Sequence, residues 1–205
     1  MKTVAGTTDR RMKTTLNRIR QHRPFGEDWK RLLRLLGKRK ADDEPLSIVT
    51  IIDRAGFDDA LWCLRTVEGH EREIQLFAVW CARQVEHLMT DARSIAVINV
   101  AERFANGMAT KEELAVAGAA ARAAVSEVAR AEGIASGGLV VAPWLARDDV
   151  WELSGAAASA AANAARLTEF SCAAASSAFA AAIAAQEKRL REVCAECQKS
   201  CISAR

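Results

Sequence analysis

One phrase occurs twice in the chain and constrains its fold more than any other feature. Trp62-Cys63-Leu64-Arg65 is repeated 18 residues later as Trp80-Cys81-Ala82-Arg83, with a Glu68-Gly69 break between the two copies. Around each copy, in residues 57–67 and 74–88, apolar side chains recur with the period of an α-helix. We therefore expect two successive helices, of which the second, over residues 74–88, is the core helix.

The composition favours helix over the whole chain. The 205 residues include only three prolines and no tyrosine, and the apolar fraction is dominated by alanine, the residue with the highest helix propensity. We predict an all-α protein: a compact multi-helix bundle followed by a long Ala-rich helical hairpin or arm. Residues 46–52 are β-branched enough for a strand, but we favour a helix because residues 53–56 resemble a helix stop.

Changes in composition divide the chain into four segments. Residues 1–11 are polar and Thr-rich and are predicted to be a disordered lead-in, with Met12 as an alternative start. Residues 12–132 are predicted to form the bundle, and the Gly-rich residues 133–147 a connector. Residues 148–205 are predicted to form one or two long Ala-rich helices, whose small side chains favour close helix packing, either in a hairpin or in a homodimer.

Basic residues are concentrated at the start of the chain. Residues 1–40 contain 13 lysines or arginines and three acidic residues, a net charge of +10, whereas the other 165 residues have a net charge of −7. This asymmetry indicates an acidic protein surface or nucleic acid as a partner, or else plain solvation of basic helices. No nucleic-acid reading motif accompanies the basic residues. The candidate partner-binding residues are Arg18, Arg20, Arg23, Lys30, Arg31, Arg34, Lys38, Arg39 and Lys40.

Three of the six cysteines form the one arrangement that suggests a metal. Cys194, Cys197 and Cys201 follow the spacing i, i+3, i+7, which places three thiols on one face of a helix. A closed zinc site needs a fourth Cys or His, which the sequence does not supply at a matching spacing. This weak metal candidate competes with a redox or intermolecular disulfide role and with ordinary packing. Cys63 and Cys81 are expected to be buried as small hydrophobes.

No arrangement of residues predicts catalysis. Of the three histidines His22, His70 and His87, the last two are expected on one helix, roughly 25 Å apart along its axis, too far to share a ligand. We therefore expect a protein that is not an enzyme, with no catalytic residue and no cofactor. Residues 170–186 are too few and too weakly apolar to cross a membrane. Without a signal-peptide core at the start, a cytoplasmic protein with reduced thiols is expected.

Several phrases together resemble a known family. The similar segments are residues 40–46 (KADDEPL), 60–65 (ALWCLR), 78–85 (AVWCARQV), 91–94 (DARS) and 101–107 (AERFANG). With them, residues 12–131 resemble a family of immunity proteins found in bacteria and in their phages and prophages. The resemblance ends after Gly133, where Gly-rich sequence replaces the uninterrupted Ala/Trp-rich helix that the family pattern leads us to expect.

The resemblance implies an all-helical protein that acts by binding another protein, without catalysis. The leading hypothesis is a stoichiometric inhibitor of the immunity type, whose partner is a toxin or a defence-complex subunit. One alternative is a phage counter-defence protein that, like an anti-CRISPR, blocks a nucleic-acid or Cas-complex surface. A second alternative is a basic helical protein that binds nucleic acid.

Overall fold

The computed structural model describes residues 11–22, 24, 26–132 and 172–199, and it confirms the all-α prediction. Within these ranges the α-helices are α1 (Leu16–Gln21), α2 (Gly26–Leu35), α3 (Ile48–Ala55), α4 (Phe57–Cys63), α5 (Glu71–Arg83), α6 (Ala92–Ala105), α7 (Lys111–Glu132) and α8 (Cys172–Lys199). Two 3₁₀ turns, Leu64–Thr66 and Glu86–Leu88, follow α4 and α5. A two-stranded antiparallel sheet pairs β1 (Lys13–Thr14) with β2 (Leu46–Ser47).

The chain forms two compact units. The first contains the described residues up to Glu68 and those from Leu190 onward, and the second runs from Gly69 to Arg189. The predicted connector, residues 133–147, and all but Arg11 of the predicted lead-in lie outside the described residues. The predicted domain boundaries therefore stay a prediction.

The first unit is built on β1, β2 and the helices α1, α2, α3 and α4. The sheet register is Lys13 opposite Ser47 and Thr14 opposite Leu46, and the amide of Ile48 donates to the carbonyl of Met12 at 3.1 Å. Residues 46–52 are helical from Ile48, as predicted, but the first two pair as a strand. The Ser47 hydroxyl accepts a hydrogen bond from the amide of Val49 (3.2 Å), which fixes the start of α3 at this point.

The end of α8 completes the core of the first unit. Leu190, Val193 and Cys194 are buried in this helix. The Cys194 Sγ lies 3.7 Å from the Sδ of Met12, which is itself buried. Arg191 donates to Asp53 at 2.7 Å on the surface nearby. The first described residues and the end of α8 from Leu190 onward therefore belong to one hydrophobic core.

The second unit contains α5, α6 and α7, with α6 and α7 as an antiparallel hairpin. Gly107, with φ 70°, ends α6: its amide donates to the carbonyl of Phe104 (2.9 Å), and that of Met108 to the carbonyl of Arg103 (2.8 Å). α7 then starts with a capping box, in which Glu113 and Thr110 bond each other's backbone amides at 2.7 and 3.1 Å. In the described parts of the chain, no helix combines the length and apolar character needed to cross a bilayer.

The prediction that the core helix extends to residue 88 is wrong. α5 stops at Arg83, and Glu86–Leu88 form a separate 3₁₀ turn. Val85, at φ −119° and nearly fully buried, leaves the helical path while still filling the core, so the apolar period continues although the helix does not. His70 and His87 consequently do not share a helix. The prediction that Cys81 in α5 is a core residue is confirmed, because its side chain is completely buried.

Candidate binding surface on the first unit

The C-terminal end of α2 presents the basic residues because of how the helix stops. Gly37, at φ 70°, donates to the carbonyl of Arg34 (3.1 Å), and Lys38 donates to that of Leu33 (2.8 Å). These two bonds form a Schellman motif, which turns the chain sharply away from the helix axis. Leu32 and Leu36 anchor the helix in the core. The residues that follow Gly37 are thereby held at the surface beside the last turn of α2.

Four of the nine predicted partner-binding residues form ion pairs within the first unit. Arg31 binds both carboxylate oxygens of Asp59 at 2.8 Å. The other three pairs are Arg18 with Glu68 (2.9 Å), Lys30 with Glu27 (2.9 Å), and Lys38 with Asp42 (2.8 Å) and with Glu44. The hydrogen bonds that Lys38 donates to Asp42 and Glu44 raise its pKa, so its charge stays in place at neutral pH. Carboxylates of the first unit therefore balance part of the charge of these four cations.

Four others are exposed and form no hydrogen bond or ion pair with any described residue: Arg20, Arg34, Arg39 and Lys40. The ninth, Arg23, lies outside the described residues. The last three of the four surround the Schellman turn. Leu35, which follows Arg34 in the sequence, is an aliphatic side chain that keeps 41% of its surface exposed. We call Arg34, Leu35, Arg39 and Lys40 the α2 patch.

The repeated Trp-Cys-x-Arg phrase has two different roles. In the first copy the Arg65 guanidinium lies 4.9 Å from the ring centroid of Trp62, and its Nε donates to the Trp62 carbonyl at 3.0 Å. Arg65 is exposed. In the second copy Arg83 donates to Glu86, Asn99 and Glu102 at 2.6–2.9 Å, which ties α5 to α6. The two arginines of the repeated phrase therefore occupy different environments, one at an exposed edge and one between two packed helices.

The cysteines of the weak metal candidate are placed in the core as far as they are described. Cys194 and Cys197 each keep only 6% of their surface exposed, and Cys201 lies outside the described residues. Burial raises the pKa of Cys194 to about 12, with a smaller contribution from Cys197, so the thiol stays protonated at neutral pH. A protonated thiol is a poor nucleophile. The geometry of this pair favours the packing interpretation.

The central cysteines are buried, and the three histidines occupy different settings. Burial raises the pKa of Cys63 to about 12 and that of Cys81 further still. His22 and His87 are exposed and belong to different units. His70 lies 3.9 Å from Glu73 on the first turn of α5, within a single unit.

Comparisons with known proteins identify no family for this chain. Protein-family models, curated proteins and solved structures all give no match to this chain. The resemblance to immunity proteins therefore stays a prediction from the quoted phrases, and the function is argued from the geometry of the first unit.

Sequence reasoning found the cations of the α2 patch but missed how they differ from their neighbours. The partner of Arg31 is 28 residues away in α4, a separation at which no spacing rule connects two side chains. Lys38 and Asp42, four residues apart, carried a usable signal, although the pair lies beyond the helix end. A glycine directly before three consecutive cations was the further clue that these residues sit in a turn.

Proposed function

We propose that this protein is a non-catalytic inhibitor that binds a partner protein stoichiometrically, in the manner of an immunity protein, and that the α2 patch contacts the partner. The observation that carries the proposal is the exposed Leu35 close in sequence to three exposed cations that form no hydrogen bond or ion pair with the described residues. Arginine at the rim of an apolar contact is a combination enriched in protein–protein interfaces. The residue resemblance supports the same function independently.

The charge of the patch indicates an acidic partner surface. Arg34, Arg39 and Lys40 contribute three positive charges within a seven-residue stretch, and Lys38 beside them is already neutralised by two carboxylates. Clustered charges of the same sign repel one another in the free protein. A partner surface of opposite charge relieves this repulsion on binding, and the attraction also speeds association. A toxin or a defence-complex subunit with an acidic face is the partner that this surface fits.

The proposal is tested with two charge-reversal variants that change the net charge equally. The tagged protein is used to isolate its partner at physiological salt, and the purified partner is then titrated calorimetrically. The variant Arg34→Glu/Arg39→Glu alters the α2 patch, and the control Lys111→Glu/Lys188→Glu alters exposed lysines of the second unit. We expect the patch variant to weaken binding by at least about tenfold and the control by about twofold or less.

Two results would count against the proposal. The first is the absence of any protein partner at physiological salt. The second is an equal loss of affinity in both variants, which would show that the net charge matters and the patch does not. Arg34 and Arg39 are preferred to Arg31 and Lys38, because reversing a paired cation leaves its carboxylate partner uncompensated and disturbs the fold.

The same cations support a nucleic-acid contact as the second candidate, either direct or in a counter-defence protein that blocks a Cas complex. Phosphate binding releases counterions, so the logarithm of the binding constant would fall linearly with the logarithm of the salt concentration. The α2 patch itself contains no aromatic side chain on which a base could stack. A measured affinity that does not change with salt would exclude this candidate.

The cytoplasm is the compartment that fits this proposal. No disulfide joins the described cysteines Cys63, Cys81, Cys194 and Cys197 to one another, and their burial suits them to packing. Reduced cysteines are the usual state in a cytoplasm kept reducing by thiols. Self-association through the Ala-rich C-terminal helices, of which only α8 is described, remains part of the same proposal.

A further inference from the structure

An asparagine followed directly by a glycine lies at the end of α6. Of the asparagines in the sequence, only Asn106 precedes a glycine, and both Asn106 and Gly107 are exposed. Asparagine side chains deamidate most readily in this dipeptide, because glycine has no side chain that hinders attack by its backbone nitrogen. The sequence of this turn therefore makes Asn106 the residue to examine for chemical self-modification.

Deamidation at Asn106 needs no reactant other than water. The backbone nitrogen of Gly107 attacks the side-chain carbon Cγ of Asn106, so that a C–N bond forms and the Cγ–Nδ2 bond breaks. The side-chain nitrogen leaves as ammonia and carries away the proton of the Gly107 amide. Water then opens the five-membered imide at either of its carbonyls, which leaves aspartate or isoaspartate at residue 106. No atom changes its oxidation state in these steps.

The backbone of Asn106 holds the reacting atoms apart. The angle ψ gives the position of the next backbone nitrogen relative to the residue's own nitrogen about the Cα–C bond, and at Asn106 it is 9°. The Gly107 nitrogen is therefore eclipsed with the backbone nitrogen of Asn106. Closure of the imide ring requires it to be eclipsed with Cβ instead. The peptide between the two residues must consequently rotate before the reaction can take place.

This rotation breaks the hydrogen bonds that end α6. The amide of Gly107 donates to the carbonyl of Phe104 at 2.9 Å, and the amide of Met108 donates to the carbonyl of Arg103 at 2.8 Å. Nη2 of Arg103 donates in turn to the carbonyl of Met108 at 2.9 Å. The proton that the reaction removes is the one that Phe104 accepts. The rate in the folded protein is therefore set by how often this turn opens locally.

The side chain of Asn106 is also held at both of its polar atoms. Its Oδ1 accepts a hydrogen bond from Nη2 of Arg72 at 2.7 Å, and its Nδ2 donates to the carbonyl of Glu102 at 2.9 Å. Arg72 belongs to the first turn of α5, so this bond ties the start of one helix to the end of another. A cation beside the C-terminus of α6 is also favoured by the helix dipole.

We propose that Asn106 is a site of spontaneous deamidation that the fold keeps closed, and that Arg72 is the side chain that holds it closed. When Arg72 releases the amide and the turn opens, Asn106 converts to aspartate and isoaspartate. Aspartate keeps an oxygen for Arg72. Isoaspartate adds a carbon atom to the main chain, which disrupts the spacing of the helix-ending bonds and loosens the α6–α7 hairpin. This site lies in the second unit and does not rest on the inhibitor function.

Conversion is followed on the full chain by peptide mass spectrometry, with aspartate and isoaspartate separated by chromatography. The protein is incubated in mildly alkaline buffer, both folded and unfolded in urea. The test variant is Arg72→Ala, and the matched control is Arg65→Ala, which removes an exposed arginine of the first unit. Asn17 and Asn99, which precede an arginine and a valine, serve as internal references in every digest.

We expect Asn106 to deamidate at least about tenfold more slowly in the folded than in the unfolded chain. Arg72→Ala is expected to raise the rate in the folded chain about threefold or more, because losing a bond from a charged donor favours the open turn. Arg65→Ala is expected to leave this rate unchanged. Once unfolded, both variants are expected to react like the unmodified protein.

Hydrogen exchange separates opening of the turn from unfolding of the whole unit. The amide of Gly107 reports on the turn, and the amide of Ile98, a completely buried residue of α6, reports on the helix core. In Arg72→Ala we expect exchange to accelerate at Gly107 by about the same factor as deamidation, and to stay unchanged at Ile98.

Three results would overturn the proposal. The first is a rate in the folded chain equal to that in the unfolded chain, or no conversion of Asn106 even when unfolded. The second is an unchanged rate in Arg72→Ala. The third is equal acceleration of exchange at Gly107 and Ile98 in that variant, which would show that Arg72 stabilises the unit as a whole. None of these results bears on the α2 patch, whose test measures binding of a partner protein, so the two proposals fail independently.

Discussion

Arg83 donates a 2.6 Å hydrogen bond to Glu102, whereas Arg65, the corresponding residue of the repeated phrase, lies exposed over the ring of Trp62. The two copies of the phrase are therefore equivalent in sequence but different in structure. The first ends α4 at the surface of one unit, and the second joins two helices of the other.

This difference predicts unequal costs for the same substitution. Arg83→Ala removes two partly exposed ion pairs and a bond to Asn99, and we expect it to lower the free energy of unfolding by about 1 kcal/mol. Arg65→Ala, the matched control, is expected to change it by about 0.5 kcal/mol or less. Urea denaturation of both variants measures the two values. Equal costs would show that the ion pairs of Arg83 contribute no net stability.

The parts of the fold that the sequence predicts correctly are those with local causes. Cys63 and Cys81 were expected to be buried from helical spacing alone, and they keep 1% and 0% of their surface exposed. The helical identity of α3 followed from the stop at residues 53–56, which ends in Gly56 at φ 102°. Each of these inferences needed only neighbours within a few turns of helix.

The parts that it misses depend on contacts between distant segments. Met12 and Cys194 are 182 residues apart yet lie in van der Waals contact, so the last turns of α8 fill a core that begins at the other end of the described chain. Arg31 of α2 and Asp59 of α4, which pair across 28 residues, are a further case. Periodicity and caps describe one element at a time and hold no information on which elements meet.

Burial of the central thiols predicts that they react slowly in the folded protein. Burial raises the pKa of Cys63 and of Cys194 to about 12, and the thiolate that attacks an alkylating reagent is therefore scarce near pH 8. We expect Cys63, Cys81 and Cys194 to be alkylated by iodoacetamide at least about a hundredfold more slowly in the native than in the urea-unfolded protein. Peptide mass spectrometry follows each site separately. Rapid native labelling at any of the three would contradict the buried positions.

Two aspartates predict opposite dependences of stability on pH. Burial raises the pKa of Asp59, against the smaller opposing effect of Arg31, so the folded state binds this proton more readily than the unfolded state. Its contribution to stability is therefore present below the ordinary pKa and is lost as the pH rises through the raised native pKa. Hydrogen bonds from Arg93 lower the pKa of Asp91, so its contribution is present above the ordinary pKa and is lost as the pH falls through the lowered value.

Urea denaturation between about pH 2.5 and pH 7 tests both signs. Relative to the unmodified protein, Asp59→Asn is expected to lose the gain in stability that acidification gives near the ordinary aspartate pKa. Asp91→Asn is expected to be most destabilised near neutral pH, with the difference shrinking in acid. The same sign of pH dependence in both variants would contradict the environments of these carboxylates.

Two serines predict opposite effects of the same change to alanine. The Ser94 hydroxyl is completely buried in α6 and has no hydrogen-bond partner in the described part of the protein, so its loss removes an unsatisfied polar group. Ser94→Ala is expected to leave the free energy of unfolding unchanged or to raise it by up to about 1 kcal/mol. Ser47→Ala removes the cap of α3 and is expected to lower it by about 1 kcal/mol. Thermal denaturation of both variants compares the two effects directly. Clear destabilisation by Ser94→Ala would contradict the prediction. It would mean that the Ser94 hydroxyl forms a hydrogen bond in solution, because removing a hydroxyl costs stability only when the group is satisfied.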